Sequence, residues 1–161
     1  MAPHTLNPVF AHLDHDDPAA VEALLERDPA LVETRDLQGC TPLLRAVERD
    51  LPRTIDLLLS RGADPGAADQ HGVTPLHLAA SAAVAQALLA AGADVHARDE
   101  ALLTPLHDAI LEDRREVVEL LLDAGADLLA VDAKGYTPLR MARDYRLPEL
   151  QALLEARGAT F

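Results

Sequence analysis

The tripeptide Thr-Pro-Leu occurs four times in this chain, at Thr41, Thr74, Thr104 and Thr137, with intervals of 33, 30 and 33 residues. Each copy leads into an apolar run that ends on Gly-Ala, at Gly62, Gly92, Gly125 and Gly158. Three of these glycines fall 21 residues after their threonine. A period of this length implies stacked supersecondary units, each too small to bury its apolar faces alone. Counting back 21 residues from Asp28, which holds the glycine's place in an earlier degenerate copy, reaches Asn7 and adds a fifth, divergent unit at the front. The expected units are 1–35, 36–68, 69–98, 99–131 and 132–161, forming one repeat domain whose outer two units are caps.

Within a unit the residues specify two short antiparallel helices and a turn. Thr41 supplies a hydroxyl N-cap, and Pro42 takes the first helical position, where its missing N–H has no partner to lose. Leu43, Ala46 and Val47 share one face. After a break near Asp50, Pro52 opens a second helix on which Ile55, Leu58 and Leu59 repeat the spacing. Gly62 holds the place of a left-handed C-terminal cap, and residues 69–73 are rich in turn formers, with Gly72 able to take a positive φ. Composition agrees with helices: thirty Ala, two Phe, two Tyr and no Trp suit close helix packing, whereas strands draw on β-branched and aromatic residues. The predicted fold class is all-α.

The run Asp-Gln-His-Gly-Val-Thr-Pro-Leu-His-Leu-Ala-Ala at 69–80 and the run Gly-Ala-Asp-Val-His-Ala-Arg-Asp at 92–99 resemble the ankyrin repeat, and the resemblance extends from residue 7 to residue 160. It implies a slightly curved solenoid of helix pairs with β-hairpin loops projecting at right angles. It also implies protein partners that dock on the hairpin tips and the first helices. By the same resemblance His77 and His107 are structural hydrogen-bonders, while Leu44 and Arg140 hold that position in two other units.

Departures from the pattern carry their own expectations. In unit 69–98 the Thr-to-Gly interval is 18, so three residues are missing where Ser81 leads into the second helix. With both helices in register this predicts a notch in the docking surface; otherwise it is a neutral loop deletion. Leu102 occupies the turn position of Gly39, Gly72 and Gly135. Either that hairpin adopts another turn, or strain is tolerated at an apolar tip of Ala101, Leu102 and Leu103. In the last unit Arg143 and Gln151 fill slots that earlier units give to apolar residues, as suits a cap with no further neighbour.

Fourteen basic against 27 acidic residues give a formal charge of −13, a field that repels nucleic acid and anionic membranes, so neither is an expected partner. Seven aspartates (Asp36, Asp64, Asp69, Asp94, Asp99, Asp127 and Asp132) sit at repeat-determined turns; without them 20 acids face 14 bases. A basic protein partner is therefore favoured only mildly. One cysteine, Cys40, cannot form a disulfide within the chain, and the N-terminus lacks the pattern of a secretory signal. The apolar stretch from 78 to 95 is interrupted by Ser81, Gln86, Gly92 and Asp94 and does not read as a membrane span. A cytoplasmic monomer without cofactor is expected. Lys134 as the sole lysine, together with abundant Ala, hints at a bacterial source.

Enzymatic patterns are weak. Ser60 and Ser81 stand in no nucleophile-elbow sequence, and Cys40 beside Gly39 is expected as an exposed tip residue. His12 and His15, at i and i+3 beside acids that include Asp16 and Asp17, offer a divalent-metal reading. The alignment of His12 with Ala46, Ala79, Ala109 and Ala142 weakens it. The expected docking residues are Leu37, Gln38 and Cys40, then Gln70, His71 and Val73, then Glu100, Ala101 and Leu103, then Lys134 and Tyr136 on the hairpins. Glu48, Arg49, Leu111, Glu112, Asp144 and Tyr145 join them from the first helices. Tyr136 and Tyr145, with Leu103 and Leu111, are expected to form an apolar patch rimmed by Glu112, Lys134 and Asp144. The expected function is a non-catalytic protein-binding module. The alternatives are an acidic immunity or antitoxin-like inhibitor of a basic effector, a scaffold subunit, or a small metal-dependent protein using His12 and His15.

Overall fold

The computed structural model describes residues 8–13 and 16–160. Among them lie ten α-helices, α1 (Pro8–Leu13), α2 (Pro18–Arg27), α3 (Pro42–Glu48), α4 (Pro52–Ser60), α5 (Pro75–Leu78), α6 (Ala82–Ala90), α7 (Pro105–Leu111), α8 (Arg115–Asp123), α9 (Pro138–Asp144) and α10 (Pro148–Ala156). Eight of the ten open on proline, so the start signals read from the sequence set the boundaries. Thr41 Oγ1 accepts the N–H of Leu44 at 3.3 Å and Thr137 Oγ1 that of Arg140 at 3.3 Å, the caps the Thr-Pro pairs predict.

The first helices α1, α3, α5, α7 and α9 pack side by side in one layer, α2, α4, α6 and α8 form a second, and each first helix packs on its own second helix. Leu43, Ile55, Leu76, Leu88, Leu106, Ile110, Leu121, Leu139 and Leu150 fill the space between the layers, each less than 2% exposed. Ala46, Ala109 and Ala142 recur at one buried position of the first helices, and Ala79, the residue that caps the end of α5, holds that position in unit 69–98. A methyl group there lets adjacent helices approach closely.

The expected β-hairpins are present only as tight turns, and no strand forms among the described residues. In the 36–40 loop the N–H of Asp36 donates to Cys40 O and that of Gly39 to Asp36 O, both at 3.0 Å. Asp36 Oδ1 takes up the N–H groups of Gln38 and Cys40, and Asp69, Asp99 and Asp132 do the same in their loops. The repeated aspartates are thus turn clamps. At Gly72 a Cβ would lie 3.1 Å from Asp99 Cα, and φ is +80°, so the close approach of the next loop and the backbone conformation both call for glycine. Leu102 keeps the same turn at φ +57°: its N–H donates to Asp99 O at 3.0 Å. Of the two expectations for that tip, the strained one holds.

The three-residue deletion falls on the first helix. Where α3, α7 and α9 have seven residues, α5 has four, while α6 keeps the nine of α4, α8 and α10. Val84, Ala85 and Leu88 are buried as Thr54, Ile55 and Leu58 are, so the register of the second helix survives. In the other four pairs the chain turns between helices through a left-handed residue, Asp16, Asp50, Asp113 or Arg146. Here Ser81 Oγ caps α6 directly by accepting the N–H of Val84 at 3.3 Å.

Candidate functional site

The loops between units stand in one row because their backbones are bonded to each other. Gln70 N–H donates to Gln38 O at 3.4 Å, Glu100 N–H to His71 O at 2.9 Å, and Ala133 N–H to Ala101 O at 2.9 Å. Along this row Leu37, Gln38, Gln70, His71, Glu100, Ala101 and Lys134 are exposed, Leu37 to 86%. His71 Nδ1 lies 3.2 Å from Glu100 Oε2, a contact between neighbouring tips.

The last residue of each loop behaves differently. Val73, Leu103 and Tyr136 are half-buried, and Cys40 is buried at 8% exposure, which corrects its expected place as an exposed tip residue. The physical reason is the turn clamp: with its N–H bound to the loop aspartate, this residue turns its side chain inward. Burial also pushes the Cys40 thiol up from its ordinary value, away from the reactive thiolate.

On the first helices Glu48, Arg49, Glu112, Asp144 and Tyr145 are exposed and Leu111 is half-buried. Leu103, Leu111 and Tyr136 pack against the core, so Tyr145, 60% exposed at the end of α9, is the member of the expected apolar patch that projects. Tyr136 is held on both sides. The guanidinium of Arg140 lies 4.2 Å over its ring, and its carbonyl accepts a hydrogen bond from His107. Unit 69–98 has no counterparts of Glu48 and Arg49 or of Leu111 and Glu112, because the shortened α5 ends before that position.

His77 and His107 join one unit to the next. In each, Nδ1 accepts the N–H of the capping threonine, Thr74 or Thr104, at 3.2 Å. This places the proton on Nε2, which donates to Leu103 O at 3.1 Å and to Tyr136 O at 3.2 Å. Burial lowers both imidazoles below their ordinary value and keeps them neutral.

Three charged residues that the docking expectation did not include shape the same face. Arg45 pairs with Asp36 at 2.7 Å and Glu48 at 2.8 Å, and also hydrogen-bonds Gln38. Burial alone would raise the Asp36 carboxyl, but Arg45 and the N–H groups of Cys40 and Gln38 hold it below the usual range. Arg114 reaches the carbonyls of Leu78 and Ala79 at the blunt end of α5. Asp108 is half-buried, and burial followed by the Asp99 carboxylate pushes it up to about 7. Aligning the units on their loop aspartates brings Arg45, Leu78, Asp108 and Met141 to one position. That variability was the available signal.

For the metal alternative, His12 is half-buried at the end of α1, whereas His15 lies outside the described residues. No group of three His, Cys, Asp or Glu side chains among the described residues is placed to hold a metal ion. Nor is any helix among them long and apolar enough to cross a membrane.

A family model for ankyrin repeats matches three times, over residues 9–99, 47–132 and 83–160. A curated relative, serine/threonine-protein kinase VIK of Arabidopsis thaliana, is 41% identical over 68 residues. That alignment covers 42% of this chain and 16% of the kinase, so the chain spans a small part of that protein's length.

Proposed function

Because the chain belongs to the ankyrin-repeat family, whose repeats are generally non-catalytic modules for binding other proteins, we propose that it binds a protein partner along the row of loop tips and the adjoining ends of the first helices. The observation that carries this reading is the backbone ladder Gln38–Gln70, His71–Glu100 and Ala101–Ala133, which fixes the exposed tips relative to one another before any partner arrives. A surface preformed in this way loses little conformational entropy on docking. Within it Leu37, Leu102 and Tyr145 are exposed apolar residues, and Gln38, Gln70, His71, Glu100 and Lys134 are exposed polar groups of the same row. The excess of acids supports a basic partner, as an inhibitor of a basic effector would have, and a cytoplasmic site of action fits the single buried thiol.

The test is affinity capture with the wild-type chain beside a Leu37→Ser/Tyr145→Ala variant and a control variant, Leu129→Ser, altered at an exposed residue outside the tip row. The reading expects one partner set held by wild type and control and lost by the double variant, with all three melting alike. Retention of that set by the double variant rules out this siting.

A further inference from the structure

The helix pairs meet at four seams, and the polar ties across them are unequal. Across the first, between α1/α2 and α3/α4, Thr54 donates to Asp16 Oδ1 at 2.8 Å, Arg61 pairs with Glu22, and the N–H of Asp64 donates to Glu33 Oε1 at 2.7 Å. Across the third, between α5/α6 and α7/α8, His77 donates to Leu103 O and Arg114 to the carbonyls of Leu78 and Ala79. The fourth, between α7/α8 and α9/α10, is the most heavily tied. There His107 donates to Tyr136 O and Arg98 to Val131 O at 3.1 Å, while Arg115 pairs with Glu149 at 3.1 Å and Arg157 with Asp123 at 2.7 Å.

The second seam, between α3/α4 and α5/α6, is tied only at its loops. Gln70 N–H on Gln38 O is the longest rung of the backbone ladder at 3.4 Å. Arg35, which donates to Gly39 O at 2.6 Å, also reaches Ala68 O, but both of its partners precede residue 69. Among the described residues no hydrogen bond or ion pair joins a side chain of α3 or α4 to α5 or α6.

The sequence gives the cause. Leu44 holds the place of His77 and His107, so no imidazole donates to Val73 O, which takes the N–H of Asp69 at 3.0 Å. On the second helices Ala83 and Ala91 stand where the last unit has Glu149 and Arg157, and Pro52 and Ser60 stand where α8 has Arg115 and Asp123. Both ion pairs of the fourth seam are thereby lost at the second. What remains is apolar contact, with Ala46, Val47 and Leu58 on one side and Leu76, Ala85 and Leu88 on the other in one cluster. To that contact α5 brings four residues where α7 has seven.

In a stacked array each unit is held by its neighbours, so a weakly tied seam lets its two sides open separately. We propose that the array has one built-in point of opening, the second seam, at which residues 8–68 detach and unfold as a block while residues 69–160 stay folded. The boundary runs through the docking face: Leu37 and Gln38 lie on one side, His71, Glu100, Lys134 and Tyr145 on the other. A partner that grips both sides closes the seam, and one that grips a single block leaves it free to open. That consequence rests on the reading that these tips dock a partner; the opening itself is a property of the free chain.

The test is native-state hydrogen exchange, read by NMR on the full chain in low denaturant, for wild type and for Val118→Ala, which removes two buried methyl groups from α8. In wild type the amides of α3 and α4 are expected to share one opening and those of α5 to α10 a second, rarer one. In the variant, protection in α5 to α10 is expected to fall about tenfold while that in α3 and α4 stays unchanged. An equal fall in α3 and α4 means that the array opens as a whole and overturns the proposal. Should the variant fail to fold, wild type decides: a break in protection between α4 and α6 supports the seam, and a single level throughout, or a break at another seam, overturns it. Neither readout needs a partner, so failure of the docking reading and failure of the opening are separate results.

Discussion

The Arg114 guanidinium donates to the backbone carbonyls of Ala79 at 3.2 Å and Leu78 at 3.4 Å, residues of the preceding unit. In three other units the end of the first helix is closed from within, by Leu51 N–H on Ala46 O, Arg114 N–H on Ala109 O and Leu147 N–H on Ala142 O. The deletion in unit 69–98 removes that closure from α5. Arg114 thus finishes its own helix with its backbone and its neighbour's with its side chain. A cation at a helix C-terminus is doubly suited, since it both donates and complements the dipole.

Arg114→Ala should therefore cost about 2 kcal/mol in chemical denaturation, the worth of charged hydrogen bonds to partly buried carbonyls. Arg114→Lys should recover part of it. A cost no greater than that of Arg53→Ala, at an exposed position of α4, would show that water closes α5 equally well.

Leu102→Gly is expected to stabilise the chain by about 1 kcal/mol, because glycine takes φ +57° without the clash of a Cβ. The melting temperature should rise. If Leu102 contributes to docking, partner affinity falls in the same variant, a trade that calorimetry and a binding titration read together.

His107→Ala leaves the Thr104 N–H and the Tyr136 carbonyl without their partner and should cost about 2–3 kcal/mol. Because burial lowers the His77 and His107 imidazoles, the unfolded chain takes up protons first. Their contribution is present above the ordinary value of 6.5 and is lost as pH falls below it. Denaturation midpoints that decline on acidification in an Asp108→Asn background isolate this effect; a flat profile would contradict it.

Cys40 should react slowly with a thiol reagent in the native chain and fast after denaturation, since its sulfur is buried and its thiolate disfavoured. Native labelling at the unfolded rate would mean that the 36–40 loop opens freely.

Much of the molecule could be read along the chain because its determinants are local. Thr41 and Pro42 start a helix wherever they fall, and the alanines of the buried position recur with the repeat. The site was less legible. Cys40, Val73, Leu103 and Tyr136 share a loop with exposed neighbours, and only the aspartate clamp decides that they turn inward. Arg45, Arg114 and Asp108 escaped the docking set because what each does depends on a residue distant in sequence or in another unit: Arg45 meets Asp36, Arg114 the end of α5, and Asp108 the charges of Asp99 and Arg114.

Periodicity by itself determined the helix pairs, their order and the side of each helix that is buried, since those depend on spacing and on caps within a few residues. Tertiary structure alone decided how the shortened α5 is closed, that Leu102 keeps a glycine's turn, and that Asp108 is half-buried within the field of Asp99. Each of these turns on distances between groups in different elements, and such distances are set by packing, after the helices have formed.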